Sequence, residues 1–319
     1  MTPETYALMA ARGGGVDLSA RAKFLLTGGD RIRYLNGQVT NDVRLATKDA
    51  TLHACVTNAK GRIEGDIYIH AAQAGGEGLW LDAEAGLREP LGLRLERYIV
   101  ADDVELRDVT EEWKLWHFFG PAAEIARSVT LPSGGAFLNS VRFGAPGVDV
   151  WMPAVETGFA VPPGIAVLTG EELETWRICR GVPCWPAELN PEAFPQEAGL
   201  EEKSMSFSKG CYIGQEILSR IKMSGKTPRK LVTFVAQEAA GMPGTGAGQS
   251  AAADLALYSQ DGEAAPKEAG RVTSITRHPG LDRVAGLAYV RQGFESRDSL
   301  LLGGENPPRI FAKVDISTP

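Results

Sequence analysis

The chain has 319 residues, 44% of them apolar and 23% charged, an ordinary globular composition long enough for two or three domains and a sizeable core. Its net charge of −7 argues against nucleic-acid binding by the whole surface, while leaving local basic patches open. No apolar run approaches the roughly 20 residues of a membrane span, and the N-terminus MTPETYALMAARGGG carries Glu4 and no long apolar core, so no membrane segment or signal peptide is expected and a cytoplasmic location follows.

In chain order, AKFLLTG reads as a strand, and Asp30 is placed to cap a short helix, RIRYLNGQ. TLHACVTN, RIEGDIYIHA and GLWLDAE read as three strands, with the small, Gly-rich AAQAGGEG (71–78) as a hairpin loop. LREPLGLRLERYIV is amphipathic, with Leu91, Leu95 and Ile99 at helical spacing and Pro90 near its start. DVELRDVT and KLWHFFG return to strand, AAEIARSV to helix, and EELETWRICRGVP is a helix closed by Gly181 and Pro183. After residue 225 the signals become almost wholly strand-like: RKLVTFVA, DLALYS, AGRVTSITRH, RVAGLAYVR and RIFAKVDI, with an Ala/Gly-rich loop over 236–255. The pattern predicts an α+β protein followed by an all-β, barrel-like C-terminal domain.

Neither Cys55, Cys179, Cys184 and Cys211 nor His53, His70, His117 and His278 match a zinc-ligand spacing, so no metal site is expected. The segment SFSKGCYIGQEILSR (206–220) carries more chemistry. Gly210 and Gly214 permit backbone angles denied to other residues, and Gln215, Glu216, Ile217 and Leu218 can open a helix whose N–H groups would face an anion or a carbonyl. Lys209 is placed to favour the thiolate of Cys211; the plain alternative is a tight turn around a packed, inert cysteine. From Lys203 to Lys230 seven basic residues face one acid, Glu216, a local excess of +6 that suits an anionic ligand: a carboxylate tail, a phosphate or a nucleic-acid backbone. Asp66, within NAKGRIEGDIYIH, is either a solvent-facing strand residue or a carboxylate aimed into a cleft. YLNGQVTNDV gathers Asn36, Gln38, Asn41 and Asp42 about Gly37, either as a polar helix end or as amides that read a heterocycle.

Together these segments resemble one family. KGCYIGQE is similar to the signature of the YgfZ-type folate-binding proteins, whose mitochondrial relatives act in iron–sulfur cluster assembly, and the likeness extends through YLNGQVTNDV, NAKGRIEGDIYI, RYIVADDVEL and RGVPCWPAELNPEAFPQEAGL. GRVTSITRHPGLDRVAGLAYVR resembles the C-terminal domain shared with the T-protein of the glycine cleavage system, an aminomethyltransferase. The resemblance implies three domains around a central cleft that binds tetrahydrofolate or a one-carbon derivative: a discontinuous ferredoxin-like domain (1–45 plus 112–225), an inserted α+β domain (46–111) and a C-terminal β-barrel (226–319). It implies Asn41, Asp66, Trp176 and Arg177 as pocket residues, and Lys209, Cys211, Tyr212, Gln215 and Glu216 as the functional loop. Cys211, Lys209 and Asp66 are the catalytic candidates, with the thiol's role as nucleophile, cluster contact or redox sensor left open.

Two departures weigh against the T-protein activity. Gly65 and Asp66 stand where that family has two acids, and Cys179 stands where it has a pterin-holding glutamate. The implied function is that of an accessory protein for maturation or repair of iron–sulfur enzymes, tRNA-modifying ones included, with those enzymes or assembly proteins as partners. Aminomethyl transfer to tetrahydrofolate is the alternative. No aromatic stacking platform accompanies the basic run, so nucleic acid is the weaker candidate partner.

Overall fold

The computed structural model describes residues 1–71, 78–155, 159–236, 255–259, 265–281, 283–294, 296–297 and 299–302, with the backbone of 309–312. The chain runs α1 (Pro3–Arg12), β1 (Gly14–Asp17), β2 (Ala22–Thr27), α2 (Arg31–Gln38), β3 (Leu52–Thr57), β4 (Ile63–His70), β5 (Leu79–Ala83), α3 (Arg88–Glu96), β6 (Glu105–Asp108), β7 (Trp113–Phe119), α4 (Pro121–Arg127), β8 (Ala136–Arg142) and β9 (Ala145–Pro153). It continues through α5 (Gly170–Cys179), α6 (Glu201–Ser204), α7 (Gln215–Ser224), β10 (Arg229–Ala236), β11 (Leu255–Ser259), β12 (Lys267–His278), β13 (Arg283–Arg291), β14 (Ser299–Leu302) and β15 (Arg309–Ala312).

Three sheets result. One has the order β3-β4-β5-β2-β6, a second β1-β7-β9-β8, and the last six strands close into a barrel, β10-β13-β12-β11-β14-β15. The architecture is α+β with a C-terminal barrel, as the strand-rich end of the sequence predicts. In the five-stranded sheet β2 lies between β5 and β6, and its run AKFLLT is buried along nearly its whole length. The expected loops at 71–78 and 236–255 fall largely outside the described residues.

Helix α3 covers the five-stranded sheet through Leu91 and Leu95, one turn apart, which join Leu87, Phe24, Leu26, Ile67, Ile69 and Leu81 in one core. Asp30 precedes α2, but its carboxylate accepts from the Asp103 backbone N–H at 3.0 Å instead of capping the helix. Helix α5 is closed by Gly181, at φ 68°, and opened by a Thr169–Glu172 capping box. The hairpin β8–β9, which the sequence reading passed over, turns through Phe143 (φ 51°) and Gly144 (φ 76°), a two-residue turn with both centres left-handed.

The two open sheets are joined by a buried ion cluster. At the end of β8, the Arg142 guanidinium reaches Asp149 of β9 at 2.7 Å and Asp82 of β5 at 2.7 Å. Arg21 adds a second bond to Asp82 at 2.5 Å, and His117 of β7 meets Asp149 at 2.8 Å. Arg142, Asp82 and Asp149 are all at most 2% exposed. Burial alone would drive both aspartates toward the neutral form; the guanidinia outweigh it and hold them below the ordinary carboxylate range.

Removing one partner leaves buried charge uncompensated, so Arg142→Leu is expected to cost about 3–5 kcal/mol of stability, measured by urea unfolding. Because the aspartate pKa values are depressed, their contribution is complete above the unfolded-state value near 3.9 and is lost as pH falls below it; acid titration of wild type should show that loss, with a smaller slope in Asp149→Asn.

A cleft where the three sheets meet

Where the sheets converge they enclose a cleft of about 860 Å³, within the range of small-molecule sites. Its walls are His53 and Leu52 of β3, Asp66 and Tyr68 of β4, the β8–β9 turn around Phe143, the segments 180–183 and 198–203, and Val232 and Leu287 of the barrel. Antiparallel pairing sets His53 directly opposite Tyr68 and Cys55 opposite Asp66, so alternate residues of two strands meet on one face. The His53 and Tyr68 rings lie 4.5 Å apart. Tyr68 is braced from behind by Arg142, whose guanidinium carbon lies 3.7 Å from the ring centre.

Asp66 is the buried carboxylate of this wall, 8% exposed. Burial raises its pKa, but the His53 hydrogen bond and the positive fields of Arg21 and Arg142 outweigh that, leaving it lowered and Asp66 ionised at neutral pH. Its Oδ2 lies 3.4 Å from His53 Nε2, and its Oδ1 has no hydrogen-bond partner among the described residues. Such a carboxylate can accept N–H groups from an amine or a heterocycle. Lys203 and Arg180 add positive charge to the lining.

The two departures from the T-protein pattern lie elsewhere. Gly65 points the other way from Asp66, and a Cβ there would sit 3.3 Å from the Leu87 side chain, in the α3 core. Cys179 is fully buried beside Tyr6 and Trp176, and burial pushes its thiol up to about 12. An acid at either position would be buried in apolar core.

Of the residues expected at the pocket, only Asp66 lines the cleft. Trp176 packs in the core and donates Nε1–H to Phe143 O at 3.1 Å. Arg177 bridges α5 to the 182–188 segment and the barrel, donating to Glu188 at 3.1 Å, Val182 O at 3.0 Å and Ser274 Oγ at 2.9 Å. Asn41 ties β3 to α6, donating to His53 O at 2.9 Å and Lys203 O at 3.3 Å. Tyr212 is buried with Phe194, Met205 and Leu218. Gln215 and Glu216 begin α7, where Glu216 pairs with Arg220.

The glycine loop answers to its own chain. Gly214 (φ 88°) precedes α7, and a Cβ there would lie 2.5 Å from Asn58 O and 2.9 Å from Gly61 Cα. The close approach is therefore to the β3–β4 turn, fastened by Thr57 Oγ1 donating to Ile213 O at 2.6 Å. The Lys209 ammonium does not serve the thiol: it donates to the carbonyls of Asn36 (2.6 Å), Val39 (2.6 Å) and Asn41 (2.8 Å) at the end of α2. Burial pulls its pKa down to about 7, while three carbonyl acceptors favour the protonated form that alone has three N–H bonds to give. The basic run is partly offset: of its seven cations, Arg220 pairs with Glu216, Lys222 with Glu201, and Arg229 with Glu197 at 3.1 Å.

Sequence reasoning missed His53, Tyr68, Lys203 and Arg180. In a strand the period-2 alternation puts Asp66 and Tyr68 on one face, but the register that sets His53 beside them depends on the turn at 58–61.

No family model matches the chain. A tRNA-modifying protein YgfZ from Shigella dysenteriae is 31% identical over 228 residues, covering 65% of this chain and 67% of that one. The chain belongs to the YgfZ/GcvT superfamily. An aminomethyltransferase from Rubrobacter xylanophilus is 28% identical over 88% of this chain and 76% of its own. A mitochondrial iron–sulfur cluster assembly factor IBA57 homolog from Phaeosphaeria nodorum is 26% identical over 72% of this chain, which spans 57% of that longer relative. The crystal structure of the glycine cleavage system aminomethyltransferase T from Bartonella henselae shares the fold, with a TM-score of 0.78, 15% identity, and coverage of 97% of this chain and 88% of that one.

Cys211 is exposed, Cys55 and Cys179 are buried, and Cys184 is half-buried with its thiol pushed up by desolvation. Iodoacetamide should therefore modify Cys211 in the folded protein and the other three only in denaturant, and tetrahydrofolate should leave the Cys211 rate unchanged, read by mass-spectrometric mapping; protection by ligand would mean that the loop reaches the cleft. Lys209→Met should cost at least about 2 kcal/mol in urea unfolding, because it strands buried carbonyls.

Proposed function

We propose that the protein binds tetrahydrofolate, or a one-carbon derivative of it, in this cleft and acts as an accessory protein in the maturation or repair of iron–sulfur enzymes, tRNA-modifying ones included. The observation that carries the reading is the ionised, incompletely paired Asp66 carboxylate in the wall of a cleft of folate size. An ionised carboxylate in the cleft wall, held by His53 only at 3.4 Å, fits the N–H-rich edge of a pterin, and the apolar walls suit its ring. On this reading Asp66 holds the pterin, and Lys203 and Arg180 supply positive charge for the carboxylate tail. When bound, the folate would supply a carrier for one-carbon units. On this reading the two open sheets and the barrel are the three walls of the folate site.

The names of the Shigella and Phaeosphaeria relatives support the iron–sulfur and tRNA-modification side of the reading. Client enzymes or assembly proteins are the proposed partners, with the exposed Cys211 as the thiol they would meet outside the cleft and nucleic acid as the weaker alternative. No helix among the described residues is long and apolar enough to cross a membrane, and a cytoplasmic setting fits the proposal. Aminomethyl transfer is the second reading, favoured by the Rubrobacter relative and by the position of Asp66 in the cleft.

Tetrahydrofolate at about 100 times its dissociation constant should stabilise the protein by roughly 2.7 kcal/mol in a thermal-shift titration. Asp66→Asn should keep the fold and weaken binding about tenfold or more, since it removes a charged acceptor. No shift at millimolar tetrahydrofolate would end the folate reading. A deletion strain with lowered iron–sulfur enzyme activity and normal glycine cleavage is the expected phenotype; ammonia release from a lipoyl-bound aminomethyl donor by the purified protein would favour the second reading.

A further inference from the structure

Behind Asp66 the cleft wall holds a chain of three side chains. His53 Nε2 faces Asp66 Oδ2 at 3.4 Å, and its other ring nitrogen, Nδ1, lies 2.5 Å from the hydroxyl oxygen of Ser204. The order of residue types is that of a nucleophilic triad, but burial rules that role out: Ser204 has no exposed surface, whereas Asp66 and His53 line the cleft. The end that can meet a ligand is therefore the carboxylate, and the serine is the anchor.

Hydrogen-bond bookkeeping fixes the tautomer. A neutral imidazole has one N–H. If Nδ1 carried it, the Nε2 lone pair would face an anionic oxygen. If Nε2 carries it, Nε2–H donates to Asp66 and Nδ1 accepts from the Ser204 hydroxyl, so every donor meets an acceptor. Ser204 is itself held in place. Its backbone N–H donates to Leu200 O at 2.9 Å, its carbonyl accepts from Thr40 Oγ1 at 2.5 Å, and Asn41 laces the two backbones together. The 3.4 Å spacing at the other end is long, so Asp66 keeps most of its acceptor capacity for a third group.

We propose that His53 is the positioning residue of the cleft, holding Asp66 as an ionised acceptor through Nε2–H while Ser204 fixes its tautomer, so that the grip on an N–H-bearing heterocycle weakens when His53 takes up a proton. On protonation Nδ1–H turns donor toward the Ser204 oxygen, the hydroxyl rotating from donor to acceptor, and the imidazolium pairs with Asp66 and competes with the ligand for the carboxylate. The groups around His53 are Asp66 and the Tyr68 ring from β4, Lys203 and Ser204 from α6, and Cys55 on its own strand, with Arg21 and Arg142 behind Asp66 and Tyr68. The inference rests on the folate reading for its choice of ligand.

Two measurements on the full chain test it. In the first, labelled-histidine NMR reads tautomer and titration without any ligand. The chain has four histidines, and the other three, His70, His117 and His278, are buried with pKa values lowered by desolvation. His53 should show the Nε2–H tautomer. An Nδ1–H tautomer overturns the proposal. In the second, tetrahydrofolate affinity is followed from pH 8 to pH 5.5. Wild type should lose affinity by up to about tenfold per pH unit below the His53 titration, because one proton is linked to release. His53→Gln, which keeps a donor toward Asp66 and an acceptor toward Ser204 but cannot titrate, should lose the acid step whatever its affinity at pH 8. His53→Phe should lose about tenfold at pH 8. A His53→Gln protein that keeps the wild-type acid step overturns the proposal. If wild type binds tetrahydrofolate at no pH, the folate reading falls and the histidine spectra alone decide this one.

Discussion

The Arg142 guanidinium is the joint on which the site depends. Two open sheets are held together with charge between them, and the low dielectric of that interface makes each unpaired group costly. Arg142 satisfies Asp82 from one sheet and Asp149 from the other, and its flat face supports Tyr68 in the cleft wall. A hydrophobic contact would join the sheets as well, but it has no preferred rotation. The forked geometry of guanidinium against two carboxylates has one, so it fixes the angle at which β4 presents Asp66. The same positive charge helps to keep Asp66 ionised, so one side chain sets both the shape and the electrostatics of the wall.

The loop around Cys211 shows how one residue pattern supports two physical readings. Glycines near a lysine and a helix start suit close approach to an anion, and they suit equally close approach to another stretch of backbone. Here the second holds. Gly214 rests on the β3–β4 turn, and Lys209 spends its three N–H bonds on the end of α2. A buried ammonium on three carbonyls is a structural tie, and it leaves the neighbouring thiol on the surface rather than in the cleft.

What the sequence made legible follows the range of the interactions involved. The helices with leucines at helical spacing, the strand-rich C-terminal third and the helix start at Gln215 are local signals, and each appears where periodicity and glycine placement put it. The position of β2 between β5 and β6 is not local: a fully buried strand needs two neighbours, but nothing in AKFLLT names them. The hairpin β8–β9 carried a signal in its Phe143–Gly144 turn that went unread. At the cleft, Asp66 was expected from the family resemblance, the strand pattern itself allowing a solvent-facing residue equally. His53 was not, because its meaning comes from partners 13 and 151 positions away. Trp176, Arg177 and Asn41 were placed at the pocket by family resemblance, yet each is a brace: one packs a core, one bridges a helix to the barrel, and one laces a strand to a helix.

The walls of the cleft are drawn from residue 50 through residue 287, with contributions from both open sheets and the barrel. During synthesis the strand bearing Asp66 emerges early, but the barrel residues that close the cleft opposite it come from the last third of the chain. An N-terminal fragment, however well folded, has the carboxylate without its enclosure. The ligand site is thus a property of the finished chain, and a nascent or truncated form lacks the pocket even while it carries the residue that defines it.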